Sequence, residues 1–365
     1  YRRQRQMCIR DSNNIVEVER RLKSSTLDHK LLSDAKKFGF SDNQIGRAVK
    51  KDGLEVRKIR KDLGVIPIVK QIDTLAAEWP AETNYLYLTY GGTENDISIT
   101  KNESGIIVLG AGPYRIGSSV EFDWGTVNMV WGLQDGGQKN VVVVNCNPET
   151  VSTDYDICNR LYFEELTLER ILDISEFERP NGIVTSVGGQ TANNLTPKLA
   201  DSGIRLIGTN AEDVDRAENR SKFSQVLDSL HIGQPSWQAF TSIVDAKNFA
   251  LEVGYPVLVR PSYVLSGAAM KVVWSQTELK KFVNEATIVS PDHPVVITKF
   301  MLDALEVDVD GVCDGENVVI GAIVEHIDSA GVHSGDAMMC IPPVSYTHLR
   351  AHETRHDLVC RLLLE

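Results

Sequence analysis

The sequence lacks the features that mark several special classes of protein. Its six cysteines form no Cys-x-x-Cys pair, which argues against a zinc cage or a disulfide framework and favours a reducing compartment. No apolar run approaches the ~20 residues that a membrane helix needs, so we expect no membrane association. No internal repeat or low-complexity segment is present. What remains is an ordinary globular composition, with 42% hydrophobic and 24% charged residues.

The sequence also has fewer basic than acidic residues. The chain has 38 Lys and Arg against 50 Asp and Glu, a net charge of -12. Non-specific nucleic-acid binding needs a surplus of basic residues, so we expect no nucleic-acid partner. An anionic ligand would have to be held by a few well-placed cations against an unfavourable overall field. The length of 365 residues predicts two or three domains.

The two ends of the chain differ in character from its interior. Residues 1–12 and 344–365 resemble peptides translated from sequencing-adapter DNA, and we expect both to be non-native tails. The second tail contains His352-Glu-Thr-Arg-His356, which matches the H-E-x-x-H pattern of zinc peptidases. A peptidase also needs a third ligand and a substrate cleft, so we expect no metal site in this tail.

Residues 13–100 predict a polar, helical segment. Apolar positions such as Leu31, Leu32 and Ala35 recur at helical spacing, and Ser41-Asp-Asn-Gln44 is typical of a capped helix start. A further helical pattern runs from Leu54 to Leu63. The segment carries no residue pattern that points to chemistry, so a non-catalytic assembly role is one alternative reading of the chain.

From Gly105 the pattern changes to alternating strands and helices. Four apolar runs of strand length occur at Ile106–Leu109, Val141–Val144, Ile183–Val187 and Arg205–Ile207. Strands and helices that alternate at this spacing predict a parallel sheet covered on both faces. We therefore predict an α/β domain over residues 101–214.

A glycine-rich turn, Gly110-Ala-Gly-Pro-Tyr-Arg-Ile-Gly117, follows the first of these strands. Its G-x-G-x-x-x-x-G spacing differs from that of the dinucleotide fingerprint. That fingerprint also needs an acidic residue after the second strand, where this sequence has Asn145 and Cys146. A tight strand-to-helix turn explains the glycines better, and an NAD-dependent oxidoreductase stays as the alternative from a different class.

Residues 215–343 predict an α+β domain with antiparallel hairpins. A predicted strand ends at Arg260 and is followed by a loop of small residues, as a polyphosphate pocket requires. An arginine fork binds phosphate oxygens, and small residues let backbone N–H groups approach the anion. In Glu306-Val-Asp-Val-Asp310, alternation places the carboxylates on one face of a strand. Glu306 suits ribose hydroxyls, whereas Asp308 or Asp310 is expected to be a solvated position.

Several motifs occur together in one order along the chain. They are Gly110-Ala-Gly-Pro-Tyr-Arg-Ile-Gly-Ser-Ser-Val-Glu-Phe-Asp123, Asn145-Cys-Asn-Pro-Glu-Thr-Val-Ser-Thr-Asp-Tyr-Asp156, Gly188-Gly-Gln190, Arg216-Ala-Glu-Asn-Arg220, Val259-Arg-Pro-Ser-Tyr-Val-Leu-Ser-Gly267 and the stretch from Glu325-His326 to Ala330-Gly-Val-His-Ser-Gly-Asp336. This combination closely resembles the second synthetase half of the large subunit of the carbamoyl phosphate synthetase family, in its eukaryotic type. The resemblance covers about residues 13–343.

The resemblance implies an α/β and α+β multidomain fold. Residues 13–100 would be the end of a helical oligomerisation domain, residues 101–214 a parallel-sheet pre-ATP-grasp domain, and residues 215–343 a truncated ATP-grasp domain. It also implies the residues of a nucleotide site and of a tunnel. Arg220 and Arg260 would hold the ATP phosphates as the catalytic pair, Lys299 and Met301 would lie beside the adenine, Glu306 would bind the ribose, Gly331, Val332, His333 and Ser334 would form the closing turn, and Glu121 and Glu149 would line a carbamate tunnel.

In the family, a carbamate oxygen attacks the γ-phosphate of ATP to give carbamoyl phosphate and ADP, with Mg²⁺ or Mn²⁺ as cofactor. K⁺ is a further cofactor that the resemblance leaves open. The metal ligands are expected beyond the resemblance, so we expect this chain alone to be inactive. The implied partners are carbamate, a glutaminase subunit or domain, the first synthetase half and other copies in an oligomer, and the product would feed pyrimidine or arginine biosynthesis.

The implied location is cytoplasmic, with a mitochondrial one also open. The alternative within the same fold is another ATP-grasp ligase that activates a carboxylate, or a biotin carboxylase.

Overall fold

A computed structural model of the chain describes residues 2–100, 104–114, 120–240, 242–261, 270–289, 295–302, 304–328 and 337–344. The described residues form two compact units, one that takes in the chain to Val226 and one from Leu227 onward. No helix within these ranges is long and apolar enough to cross a membrane.

Four helices open the first unit: α1 (Arg2–Ser24), α2 (His29–Lys37), α3 (Asp42–Val49) and α4 (Gly53–Asp62). Side-chain caps set where three of them begin. The Asp28 carboxylate accepts the Leu31 N–H, and Ser41 and Asp52 each open a capping box at the start of α3 and α4. The predicted start at Ser41 and the predicted helix near residues 54–63 are therefore confirmed.

A seven-stranded sheet completes the first unit, with strand order β1-β2-β5-β4-β3-β6-β7. The strands are β1 (Ile68–Gln71), β2 (Tyr85–Thr89), β3 (Ile106–Leu109), β4 (Val141–Asn145), β5 (Arg160–Phe163), β6 (Gly182–Val184) and β7 (Leu206–Ile207). All neighbouring pairs from β2 to β7 are parallel, and β1 joins β2 antiparallel. The predicted parallel sheet is confirmed.

Helices cover both faces of this sheet. They are α5 (Val120–Asp135), α6 (Leu168–Glu178), α7 (Gly189–Asn193), α8 (Thr196–Asp201) and α9 (Ala211–Glu218), with a 3-10 helix at Val151–Thr153. One apolar cluster packs Ile107 and Val142 against α6, and another packs Val108 and Val143 against α5. Because both faces are covered, every residue of β4 is buried.

The helical segment is shorter than the sequence suggested. Residues 68–71 and 85–89 form β1 and β2 at one edge of the sheet, inside the range 13–100 predicted to be helical. Each strand is four or five residues long and has only one or two buried side chains. Such short edge strands acquire their structure from pairing with a neighbour, so their sequence carries little signal.

The second unit contains two antiparallel sheets. The first has the order β10-β9-β11-β8 and the second the order β12-β13-β14. Their bounds are β8 (Trp237–Phe240), β9 (Val257–Pro261), β10 (Lys271–Val273), β11 (Val295–Lys299), β12 (Val307–Cys313), β13 (Val318–His326) and β14 (Met339–Cys340). Helices α11 (Ile243–Val253) and α12 (Gln276–Val289) pack on one face of the first sheet, while α10 (Arg220–Ser229) spans the boundary of the two units. The predicted antiparallel α+β pattern is confirmed.

Candidate functional site

Arg260 lies near the end of β9, as the sequence predicts. Its Nη2 atom donates a hydrogen bond of 2.8 Å to Thr298 Oγ1 on the neighbouring strand β11. Arg260 is paired with Val296, so these three residues share one face of the sheet. The opposite face carries Val257 and Ile297 and packs against α11 and α12. The guanidinium therefore lies on the face away from these helices. Thr298 was not predicted, because a threonine inside a strand is too common to signal a site.

Lys299, the last residue of β11, has its side chain on the other face. Strand alternation places it with Val257, its partner in the register. Its ammonium group donates to the carbonyls of Gly254 at 3.0 Å and Tyr255 at 3.2 Å. Met301 follows two residues later and is 55% exposed. The structure therefore brings Arg260 and Thr298 together but turns the Lys299 side chain away from them.

Arg220 belongs to the first unit and is the first residue of α10. The Asn219 side chain accepts the N–H groups of Ser221 at 3.1 Å and Lys222 at 3.2 Å, which defines the helix start. Burial lowers the pKa of the Arg220 guanidinium below its usual range, and the charge of Glu218 acts in the opposite direction. A partly desolvated cation of this kind is stabilised by a nearby anion.

Glu306 lies directly before β12, beside the last residue of β13. The N–H of His326 donates to the Glu306 carbonyl at 3.0 Å, and His326 Nδ1 lies 3.8 Å from Glu306 Oε2. Asp308, two residues further on, places Oδ2 at 2.9 Å from His326 Nε2. The imidazole is buried between two partly exposed carboxylates. One of Asp308 and Asp310 was expected to be a solvated position, and the exposed Asp310 is that residue.

Glu121 and Glu149 lie beyond the carboxyl ends of two adjacent strands. Glu121 is near the start of α5, which follows β3, and Glu149 follows β4; both side chains are exposed. Asp123 Oδ2 accepts the N–H of Ser152 at 3.3 Å and so ties α5 to the 3-10 helix after Glu149. Both predicted tunnel residues thus belong to segments that contact each other beyond the carboxyl ends of β3 and β4.

Some predicted residues lie outside the described ranges. They are Gly331, Val332, His333 and Ser334 of the closing turn, His352 and His356 of the tail, and most of the small-residue loop after Arg260.

Three family models match successive parts of the chain. The oligomerisation domain of the carbamoyl-phosphate synthetase large chain matches residues 9–64, the carbamoyl phosphate synthase preATP-grasp domain matches residues 102–216, and the ATP binding domain of the carbamoyl-phosphate synthase L chain matches residues 215–358. The chain belongs to the carbamoyl phosphate synthase large-chain family. The matches include residues 9–12 and 344–358, which lie in the ends expected to be non-native, and the domain limits given above stay predictions.

Relatives with nearly equal identity come from distant organisms. The arginine-specific large chain of Cutaneotrichosporon cutaneum is 52% identical over 94% of this chain, the large chain of Hyperthermus butylicus 53% over 92%, and the mitochondrial carbamoyl-phosphate synthase [ammonia] of Rattus norvegicus 52% over 92%. The chain spans 29%, 31% and 22% of their respective lengths. Identity alone therefore does not single out the eukaryotic type that the motifs suggested.

Solved structures outside the family are much less similar. The N5-carboxyaminoimidazole synthetase of Staphylococcus aureus superposes on 70% of this chain and 62% of its own, with a TM-score of 0.49 and 13% sequence identity. Similarity at that level is too low to transfer a substrate or a mechanism.

The glycine turn after β3 is explained by packing. A side chain on Gly110 would come within 2.7 Å of Asn145 Nδ2, and Gly112 has a φ of +73°. The Gly112 N–H donates to Asn145 Oδ1 at 3.0 Å, so the last residue of β4 holds the turn and is not available to a ribose. This geometry confirms the tight-turn interpretation and gives the NAD alternative no support.

Proposed function

We propose that this chain is part of an ATP-dependent ligase that phosphorylates carbamate to carbamoyl phosphate. The observation that carries the proposal is the identity of 52–53% to carbamoyl phosphate synthase large chains over more than nine-tenths of this chain. Within it, the helical segment is an oligomerisation domain, the parallel-sheet unit a pre-ATP-grasp domain and the residues from about 215 an ATP-grasp domain.

We assign binding of the nucleotide to the residues that the sequence singled out. Arg260, beside Thr298 on the sheet face away from the helices, supports a phosphate contact, since a guanidinium donates to phosphate oxygens in a planar fork. Arg220 supports a second, because its burial makes a neighbouring anion favourable. The Lys299 ammonium is held by carbonyls on the other face, so Lys299 meets the adenine through its main chain, beside Met301. Glu306 takes the ribose hydroxyls.

Magnesium does not fit the described residues well. Mg²⁺ prefers an octahedral shell of oxygen ligands. Within the described ranges, the group of acidic, His or Cys side chains close enough to share an ion is Glu306, Asp308 and His326, which includes an imidazole. The Mg²⁺ or Mn²⁺ ligands of the proposed enzyme therefore belong to other residues, and the part of the reaction that this chain performs is binding and orientation of the nucleotide.

In the proposed reaction, these residues act by positioning the nucleotide and neutralising charge. In phosphoryl transfer the protein mainly positions the reactants and neutralises the charge that spreads over the phosphate oxygens. Arg260 and Arg220 supply positive charge for that purpose in a chain with a net charge of -12. The carbamate oxygen forms the new bond to the γ-phosphorus, and the bond to the β-bridging oxygen breaks to release ADP. Glu121 and Glu149 would guide carbamate towards this reaction.

The partners of the proposed enzyme follow from its chemistry. Carbamate must be made and delivered, so we assign a first synthetase half and a nitrogen-supplying glutaminase subunit or domain as partners. The product feeds pyrimidine or arginine biosynthesis, and names of both kinds occur among the relatives, including the multifunctional protein pyr1-3 of Dictyostelium discoideum.

Nucleotide binding by the 365-residue chain tests the proposal directly. Binding of MgATP to the native state should raise the melting temperature. Arg260→Ala should weaken MgATP binding by about 10- to 100-fold, because a hydrogen bond to a charged group contributes ~1.5–3 kcal/mol. Titration calorimetry on both proteins measures the difference. We expect no carbamoyl phosphate from the chain alone.

Arg216→Ala is the matched control, since this exposed arginine forms ion pairs with its helix neighbours Asp213 and Glu212, and the substitution should leave binding unchanged. Protection by NADH in place of MgATP would contradict the proposal. Equal effects of the Arg216 and Arg260 substitutions would mean that Arg260 does not touch the nucleotide.

A further inference from the structure

The two strands β12 and β13 bring three metal-ligating side chains to one place. One ligand atom each from Glu306, Asp308 and His326 lie within 4.8 Å of one another. Glu306 and Asp308 are two residues apart and so share one face of the strand. Asp308 Oδ2 lies 2.9 Å from His326 Nε2, and Glu306 Oε2 lies 3.8 Å from His326 Nδ1.

The imidazole of His326 is what distinguishes this group from an ordinary acidic surface. Its side chain has no solvent exposure, and within the described residues its Nδ1 atom has no hydrogen-bond partner. At 3.8 Å the Glu306 carboxylate is too far away for a hydrogen bond. A buried ring nitrogen without a partner is costly, and this one faces a carboxylate. Such an atom is satisfied when a cation lies between it and that carboxylate.

We propose that Glu306 and the Nδ1 atom of His326 bind a divalent ion of the zinc class, such as Zn²⁺ or Co²⁺, while Asp308 holds the imidazole in place through Nε2. An imidazole nitrogen and a carboxylate oxygen are ligands that Zn²⁺ accepts, with water completing its four-coordinate shell. The imidazole selects against Mg²⁺ and Ca²⁺, which take oxygen ligands.

The distances are compatible with such an ion after small side-chain movements. Ligand atoms about 2.0–2.2 Å from a tetrahedral Zn²⁺ lie about 3.4 Å from each other, close to the 3.8 Å between His326 Nδ1 and Glu306 Oε2. His326 is buried and fixed, whereas the side chains of Glu306 and Asp308 are 36% and 43% exposed. The Glu306 carboxylate can therefore turn towards an ion at Nδ1 without moving the imidazole, which Asp308 holds at Nε2.

The site also has a consequence for nucleotide binding, which rests on the proposed function. If Glu306 binds the ribose hydroxyls, the same carboxylate cannot serve the ribose and the ion at once. Zn²⁺ then competes with ATP. Occupation of the site lowers the apparent affinity for nucleotide, and saturating nucleotide lowers the apparent affinity for the ion.

The first experiment is a metal titration of the full 365-residue chain without nucleotide. His348, His352 and His356 are changed to Ala in the background, so that the tail cannot contribute ligands. Zn²⁺ is titrated against a chromophoric chelator, and Co²⁺ is followed by its visible absorption. We expect one ion per chain, with affinity falling at least about 10-fold in both variants: Glu306→Gln removes a direct ligand, and Asp308→Asn removes the carboxylate that orients the imidazole.

Asp310→Asn is the matched control: it removes the same charge from the same strand but lies outside the cluster, and it should change affinity by less than about 2-fold. Because His326→Gln alters a buried residue, its result counts only if the variant melts like the parent. Zn²⁺ binding that is unchanged in both Asp308→Asn and Glu306→Gln would overturn the site. So would binding that is lost with the tail histidines.

A second measurement tests the metal site independently of the proposed nucleotide site. ATP affinity is measured with and without Zn²⁺ in the parent and in Asp308→Asn. Competition that is present in the parent and weak in the variant supports the shared use of Glu306. Stoichiometric Zn²⁺ binding with no detectable ATP binding would remove the proposed nucleotide site and leave the metal site standing.

Discussion

The Arg60 side chain is fully buried in the first unit, and a network of ion pairs compensates its charge. Its guanidinium donates to Asp42 at 2.9 Å and to Asp173 at 2.7 Å. Lys36 also contacts Asp42, and Arg57 contacts Asp173 at 2.7 Å. These contacts tie α2, α3 and α4 to α6. No local pattern predicts them, because Arg60 and Asp173 are 113 residues apart in the chain.

We expect Arg60→Met to destabilise the chain strongly. The substitution keeps most of the side-chain volume but leaves two buried carboxylates without their main counter-charge, which typically costs ~3–5 kcal/mol. Urea denaturation should show a lower midpoint in the unfolding of the first unit. As a control, Arg20→Met removes an exposed pair with Glu17 at 3.6 Å and should cost less than ~1 kcal/mol. Similar losses in both variants would refute the importance of the buried network.

A second prediction at this scale concerns Asp96, which accepts Lys70 Nζ at 2.6 Å and the Gln71 N–H at 3.0 Å. The hydrogen bond from Lys70 and that from the Gln71 backbone lower the pKa of Asp96 below its usual value of 3.8. A carboxyl whose pKa is lower in the folded state adds stability above its unfolded pKa, and this stability is lost as the pH falls through the folded pKa.

The parent should therefore melt above Asp96→Asn at about pH 6, and the difference should shrink as the pH falls below about 4. Melting curves at several pH values measure it. The same substitution at Asp52 would be a poor control, because it removes a helix cap. Asp310→Asn, which changes an exposed carboxylate of the second unit, is the better control. A pH-independent difference for Asp96→Asn would show that its hydrogen bonds do not depend on ionisation.

At the scale of secondary-structure elements, the strand ends around Gly188 pack so closely that side chains are excluded. A Cβ on Gly188 would lie 2.5 Å from the carbonyl oxygens of Leu109 and Gly110. Main-chain atoms of this kind cannot move aside without shifting β3. The Gly188-Gly-Gln motif is therefore a packing requirement at the carboxyl end of β3 and β6, as well as part of the family resemblance.

Gly188→Ala should destabilise the first unit by ~1–3 kcal/mol through overpacking. Gly132→Ala offers a matched comparison: Gly132 lies inside α5, and a Cβ there would meet nothing within 4 Å. That substitution should be neutral or stabilising by ~0.5–1 kcal/mol, since glycine is unfavourable inside a helix. Thermal unfolding of the two variants gives the comparison, and a destabilised Gly132→Ala or an unaffected Gly188→Ala would contradict it.

On the scale of the whole chain, the two ends should contribute little to stability. In α1, residues 8–17 are exposed, and Val18 is the first residue of the helix known to be buried. Removing residues 1–12 and 344–365 should leave the melting temperature nearly unchanged. Removing residues 1–24 takes away Val18 and Leu22, which belong to the core of the helical segment, and should lower it clearly.

A marked fall on removal of residues 1–12 and 344–365 alone would show that these ends pack against the rest of the chain. In that case the family matches, which begin at residue 9 and end at residue 358, would describe genuine parts of the fold.

The sequence by itself determined the features that depend on neighbouring residues. The cap at Ser41, the buried strand Val141–Val144 and the strand that carries Arg260 all follow from local spacing, because helix caps and apolar runs stabilise structure within a few residues. The order of motifs identified the family for the same reason, since it is a property of the chain and not of its packing.

Only the tertiary structure decided which distant residues meet. It added β1, β2 and β5 to the sheet, joined Arg60 to Asp173, turned the Lys299 side chain away from Arg260, and placed Asp308 against His326. Each of these depends on strand pairing or helix packing between segments far apart in the chain. The free energy of such contacts comes from burial and from the register of the partner strand, neither of which is written in the local sequence.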